Sequence, residues 1–241
     1  MNKAQKLELT YIKKEKVSRD TYSFYFDRNK MNFNFLPGQY LKIFLKIDSP
    51  DDRGSSRYFT ISSSPTDKDF LVITTRIVKS SFKLKLNTLK TGKKIRAFGP
   101  IGYFDFDAKS TKEQIFLAGG VGMTPAHSII KFTESKKEKT KILLIVSFQK
   151  LSDIIFYNEL KEIEARNKNI KIVYTITKDK KIEGFERGHI DEKLIRKYSL
   201  DFKKAKYFLV GSESFEFKMV DLVTKMGIPE ENIFKENFPG Y

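Results

Sequence analysis

Leu117-Ala118-Gly119-Gly120-Val121-Gly122-Met123-Thr124-Pro125 is the stretch on which the fold turns. An apolar run at 115–118 leads into it and a helical pattern at 125–133 follows, so it reads as the turn between a strand and a helix. Thr124 is the expected N-cap and Pro125 the first helical residue. Glycines at such a turn let the backbone approach a ligand, and the helix N-terminus offers unpaired N–H groups and partial positive charge to a pyrophosphate. No Gly-Lys-Ser/Thr follows, which excludes a Walker loop, and the glycine spacing is not the G-x-G-x-x-G of dehydrogenases.

Toward the C-terminus the same rhythm repeats. Short apolar runs at 143–148, 170–176 and 207–210 alternate with helical patterns at 153–165, 191–198 and 214–226. Asp153 and Asp191 read as N-caps. Phe215, Met219, Leu222, Val223 and Met226 form one helical stripe, closed by Gly227 as a C-terminal cap. Strand–helix alternation with continuous apolar strands predicts a buried parallel sheet covered by helices.

Toward the N-terminus the period is two. Leu7, Leu9 and Tyr11 alternate with polar neighbours, as do Tyr22, Phe24 and Phe26, and then Leu41, Ile43, Leu45 and Ile47 after the Pro37-Gly38 turn. Further strands are predicted at 57–62, 71–77 and 95–98, with a short helix at 82–89. Several short strands of this kind predict a small barrel or sandwich. The chain therefore divides into a β domain, 1–108, and an α/β domain, 109–241, joined near 105–112.

Composition narrows the chemistry. With no cysteine there are no disulfides, Cys-ligated metals, iron–sulfur clusters or thiolate nucleophiles, and His127 and His189 lack metal-ligand spacing and read as structural. Redox chemistry must then rest on a bound organic cofactor. The net charge of +16 suits acidic partners, but its lysines are scattered without an arginine-rich or aromatic-basic patch, which argues against nucleic-acid binding. No apolar run reaches the roughly 18 residues of a membrane span, and no signal core opens the chain, so a soluble, cytoplasmic protein is expected.

A second stretch, Arg57-Tyr58-Phe59-Thr60-Ile61-Ser62-Ser63, combines a cation, aromatics and hydroxyls. Arg57 can take a phosphate in a bidentate grip, Phe59 can pack on a planar ring, and Thr60 can offer its hydroxyl and N–H to a ring nitrogen. A regular strand, however, puts Arg57 and Phe59 on one face and Thr60 on the other, so all three roles need a local twist.

Together these motifs resemble the ferredoxin–NADP reductase superfamily. Arg57-x-Phe59-Thr60-x-Ser62-Ser63 is similar to its flavin motif, Gly99-Pro100-Ile101-Gly102-Tyr103-Phe104 to the segment ending its flavin domain, and Gly119–Pro125 to its pyrophosphate loop. Val210-Gly211-Ser212 stands where the family often has Cys-Gly, and Glu236-Asn237-Phe238 resembles the usual Glu-x-Phe ending. The resemblance implies an antiparallel six-stranded β-barrel for the flavin followed by an α/β five-stranded parallel sheet for the nucleotide. It implies that Arg57 holds the flavin phosphate, that Phe59 packs on the isoalloxazine, and that Thr60, with Ile61 and Ser62 beyond it, lies near the ring's N5. Gly120, Gly122, Met123, Thr124 and Gly211 would cradle NADP or NAD, Phe238 would lie near the rings, and Glu236 would serve as a proton-relay carboxylate.

The sequence also departs from the family pattern. Phe59 stands for the usual Tyr and Val210 for the cysteine, and the second phosphate element is reduced to Lys79-Ser80-Ser81-Phe82-Lys83, with Ser80, Ser81 and Lys83 as candidates. FAD is favoured over FMN. NAD and NADP stay open, because Lys150 and Lys178 are the only cations suggested for a 2′-phosphate. The expected activity is hydride exchange between NAD(P)H and FAD, with electrons passed to a separate acidic carrier such as ferredoxin or flavodoxin. A free-flavin or ferric-chelate reductase and a non-catalytic flavin-binding subunit are the alternatives.

Overall fold

A computed structural model describes residues 3–29, 31–102, 104–180 and 182–235. The first half is antiparallel: β1 Gln5–Lys16, β2 Thr21–Asp27, β3 Tyr40–Phe44, β4 Ser56–Thr60, β5 Phe70–Arg76 and β6 Lys94–Ile101, with helix α1 Ser81–Asn87 between the last two. They lie in the order β4-β3-β6-β1-β2-β5. A bridge between Ile61 and Ile73, with Ser62 N–H donating to Val72 O at 2.8 Å, brings the two edges together into a nearly closed six-stranded barrel. The alternating apolar residues point inward: Leu9, Phe24, Phe26, Leu41, Ile43, Leu71 and Ile73 are buried together, and Phe82 and Leu86 of α1 join them.

The second half is α/β. Its elements are β7 Gln114–Gly119, α2 Thr124–Lys136, β8 Ile142–Phe148, α3 Tyr157–Arg166, β9 Ile170–Ile176, β10 Glu186–Arg187, α4 Glu192–Tyr198, β11 Lys206–Val210, α5 Glu213–Lys225 and β12 Ile233–Lys235. The strands are parallel in the order β10-β9-β8-β7-β11-β12. Among the described residues this makes six strands rather than the expected five, because the two-residue β10 extends one edge. Alternate strand residues feed opposite faces. Phe116, Leu144 and Val146 pack with α2 and α3, while Ile115, Leu117, Leu143 and Ile145 pack with α4 and α5.

Two helix starts differ from expectation. Thr124 is helical (φ −57°, ψ −37°) rather than an N-cap, because a 3-10 turn at Gly120–Met123 runs directly into α2. Asp153 closes its own 3-10 turn, Leu151–Asp153, and α3 begins later behind Phe156, whose φ of 59° breaks the chain direction. Asp191 does cap α4, accepting from Leu194 N–H at 2.7 Å, and Gly227 (φ 77°) follows α5 as expected.

Candidate active site

In an open parallel sheet, ligands gather beyond the carboxyl ends of the strands where the strand order reverses. Here the chain runs from β7 outward through β8 and β9, then returns to β11 on the other side, so the reversal lies between β7 and β11. The loops after those two strands meet there. A Cβ added to Gly122 would lie 2.7 Å from Gly211 Cα, so the two backbones are in direct contact. A cleft of about 800 Å³ opens at this point, lined by Gly120, Gly122 and Gly211. Ser147, Gln149, Lys178 and Lys218 also face it. The barrel supplies Asp20 and Arg76 to the same cleft.

Not every predicted nucleotide residue faces this cleft. The Met123 side chain is wholly buried in the α2 core and Thr124 is buried in the first turn, so any contact from them comes through the backbone. Val210 is likewise core. Glu216 of α5 accepts a hydrogen bond from the Gly211 backbone, yet burial pushes its carboxyl up to about 7. Arg76 and Glu216 carried no local signal, since neither lies in a motif. Glu236 and Phe238 fall outside the described residues.

The flavin motif behaves as a regular strand. Arg57 pairs with Ile43 and Phe59 with Leu41 across β3, and cross-strand partners share a face, here the barrel interior. Phe59 is 4% exposed, inside the barrel core, with its ring 5.8 Å from that of Phe82. This corrects the expectation that Phe59 presents a stacking face: the strand's pleat turns it inward. Tyr58 takes the opposite face and meets Tyr40 edge-on at 5.7 Å. Tyr40 in turn lies against Gly102 (φ 81°), where a Cβ would fall 2.2 Å from its ring. Thr60 pairs with Tyr40, so it belongs to this outer aromatic face. Ile61 is buried at the barrel closure, and Ser62 Oγ bonds to Thr74 Oγ1 at 2.9 Å.

Arg57, Ser80 and Ser81 do come together. Arg57 Nη1 donates to the carbonyls of Arg53, Gly54 and Ser56, and Nη2 donates to Asp51. The Ser80 hydroxyl and the Ser81 N–H both donate to the other Asp51 oxygen at 3.1 Å. Desolvation works against the Asp51 carboxylate, but the hydrogen bonds from Arg57, Ser81 and Ser80 hold its pKa at about 2. Among the described residues, Arg57 Nε is buried without a partner. Lys83 is held down to about 8, first by burial and then by repulsion from Arg53, Arg57 and Arg76. A buried, unpaired guanidinium N–H amid crowded cations fits a phosphate group. Asp51 was missed because a lone Asp in a turn has no distinguishing pattern.

The two halves are joined beside this motif. Ser128 Oγ donates to Ser63 O at 2.7 Å, and His127 Nδ1 lies 2.8 Å from Ser62 O. Gly38 of the barrel also packs against Ile129 of α2, while Gln39 Nε2 donates to Gly102 O within the barrel at 2.8 Å.

Comparison with known proteins agrees with this architecture. Residues 8–106 match the oxidoreductase FAD-binding domain and residues 116–221 the oxidoreductase NAD-binding domain. The chain belongs to the oxidoreductase family that these FAD-binding and NAD-binding domain models describe, and it has the two-domain ferredoxin–NADP reductase fold. It is 30% identical over 237 residues to a flavohemoprotein of Bacillus subtilis, covering 94% of this chain and 57% of that protein. It is 25% identical over 210 residues to the glycine betaine monooxygenase reductase subunit of Pseudomonas aeruginosa, covering 86% of this chain and 57% of the relative. The flavohem-like FAD/NAD-binding domain of nitric oxide dioxygenase from Vibrio cholerae superposes with a TM-score of 0.83 at 17% identity, covering 96% of this chain and 98% of that one. The chain spans between 28% and 60% of the length of the first curated relatives it matches. No helix among the described residues is long and apolar enough to cross a membrane.

Proposed function

We propose that this chain is the reductase part of an electron-transfer system, moving hydride equivalents between NAD(P)H and FAD and passing electrons to a separate protein carrier. One observation carries the reading above all: Arg57, Ser80 and Ser81 converge on a single anionic group on the barrel, while the Gly122–Gly211 contact frames a cleft at the sheet's switch point. The flavin unit is taken as 1–108 and the nucleotide unit as 109–241.

In this reading Arg57, Ser80, Ser81 and Lys83 hold the flavin's phosphates, and Tyr40 and Tyr58 provide the aromatic surface for its ring system. Thr60 stands at that surface with a hydroxyl and a backbone N–H to offer to a ring nitrogen. Bound flavin supplies the ability to accept two electrons together and release them singly. Gly120, Gly122 and Gly211 let the backbone close on the nucleotide, and the N-terminus of α2 favours its pyrophosphate. The protein's contribution to rate is alignment of the two rings and exclusion of water. Arg76, Lys178 and Lys218 line the cleft alongside Asp20, Asp153 and Asp191, so NADP and NAD are both retained as substrates. Glu236 and Phe238 keep their proposed places as relay carboxylate and ring neighbour.

The net charge of +16 suits an acidic carrier such as ferredoxin or flavodoxin, and a relative named as a reductase subunit supports a partner on another chain. A cytoplasmic setting, where NAD(P)H is supplied, completes the reading. Titration with FAD and with riboflavin tests the phosphate site. FAD is expected to bind and riboflavin, which has no phosphate, to bind far more weakly; equal affinity would refute the assignment of Arg57, Ser80 and Ser81. Turnover with an acidic carrier should fall steeply as salt rises, whereas salt-independent turnover would favour a free-flavin reductase.

A further inference from the structure

The junction between the two halves contains a charged network that the proposed chemistry does not use. His127, on the first turn of α2 and 4% exposed, has Nδ1 2.8 Å from the carbonyl oxygen of Ser62 and Nε2 2.7 Å from a carboxylate oxygen of Glu159 on α3. Its ring stacks on Phe156, with centroids 3.8 Å apart and planes 16° from parallel. Lys131 bonds the other Glu159 oxygen at 3.0 Å and reaches Asp67 at 3.3 Å. Burial works against the Glu159 carboxylate, but His127 and Lys131 outweigh it and bring its carboxyl to about 2.

The protonation of His127 follows from what faces it. A peptide carbonyl accepts hydrogen bonds and never donates, and an ionised carboxylate does the same. Both ring nitrogens therefore face acceptor-only atoms at hydrogen-bond distance, and both must carry hydrogen. A neutral ring would set a lone pair against either Ser62 O or Glu159 and open one of the two contacts. The other charged and titratable groups lining this side are Lys131 from α2, Asp67, Lys68 and Asp69 from the loop before β5, and Glu15 and Tyr25 from β1 and β2. With Glu159 they make four carboxylates against two lysines around the ring.

Position gives this contact its consequence. His127 and Ser128 are three and four residues beyond the start of α2 at Thr124, directly behind the pyrophosphate loop. Ser62 and Ser63 directly follow the flavin strand. We propose that His127 is a positioning residue: as a doubly protonated ring, with Ser128 beside it, it clasps the flavin strand to the nucleotide helix and sets the alignment of the two rings. The proposal rests on the flavin–nucleotide reading above.

Two measurements test it, one independent of catalysis. Histidine-labelled protein gives nitrogen NMR signals from only His127 and His189, and His189→Gln assigns them. Both His127 ring nitrogens face acceptors and are expected to carry hydrogen in the clasp; a neutral tautomer there would overturn the proposal. In anaerobic single-turnover reduction of FAD-loaded protein, His127→Phe keeps the stack on Phe156 but loses both donors. Its limiting rate constant should fall about tenfold or more, with nucleotide affinity little changed. Ser128→Ala should give a smaller loss in the same parameter. Glu159→Gln should lower the same rate constant less than His127→Phe does, because a carboxamide oxygen can still accept from Nε2. An unaltered His127→Phe rate would also overturn the proposal. Failure to bind FAD would sink the functional reading instead, and the NMR result would still decide the protonation of the clasp.

Discussion

The carboxylate of Asp51 accepts from the guanidinium of Arg57 while its second oxygen takes the Ser80 hydroxyl and the Ser81 N–H, so one internal anion engages three donors proposed for the flavin phosphate. Arg57 is fixed independently through the carbonyls of Arg53, Gly54 and Ser56. Asp51→Asn should therefore leave the arginine in place, remove a charge that repels phosphate, and tighten FAD binding by about threefold to tenfold. The same substitution should lower stability near neutrality. The folded pKa of about 2 lies below the unfolded value, so the carboxylate's contribution is fully present above about 4. It is lost as pH falls through about 2, and the stability gap between wild type and Asp51→Asn should close over that window in acid-dependent urea melts.

Lys83 titrates at about 8, within the range where the protein can be studied folded. A bound diphosphate favours its charged form, so FAD affinity should fall as pH rises through 8, by about threefold to tenfold. Lys83→Met should bind FAD more weakly at pH 7 and lose that step. A wild-type affinity that is flat from pH 7 to 9 would remove Lys83 from the phosphate site.

Phe59 and Tyr58 are adjacent but face opposite ways, and their variants should separate cleanly. Phe59→Ala empties a position in the barrel core and should cost about 3–5 kcal/mol of stability. Tyr58→Ala should cost less than about 1 kcal/mol, yet weaken FAD binding and shift the flavin absorption bands. The reverse pattern would restore Phe59 as the stacking residue.

Gly122→Ala forces a Cβ to within 2.7 Å of Gly211 Cα, and backbone cannot yield as a side-chain tip can. The two loops must part, so NAD(P)H affinity should drop about tenfold or more while FAD binding is retained. Isothermal titration with each ligand distinguishes this from general unfolding, which would abolish both.

Most of the architecture was legible because it is written in local periods. Leu41, Ile43 and their neighbours alternate because one side faces a core, and the runs in β7, β8, β9 and β11 are mostly apolar because both sides do. The pleat also put Arg57 and Phe59 on one face from sequence alone. Which face that was depended on pairing with Ile43 and Leu41, a contact no local pattern encodes. Edge strands as short as β10 leave no period to detect, and Asp153 looked like a helix cap because its nearest turn is also hydrogen-bonded. The clasp joins His127 to Ser62 across 65 residues, and neither carries a motif for it.

The central claim, that one chain brings NAD(P)H and flavin together for hydride transfer, is tested most directly by the visible spectrum of FAD-loaded protein titrated anaerobically with NADPH and, separately, NADH. The flavin bands should bleach with at least one nucleotide, and the one that acts at lower concentration identifies the preferred substrate. Bands that persist with both nucleotides would contradict the account and leave a flavin-binding subunit without hydride-transfer activity.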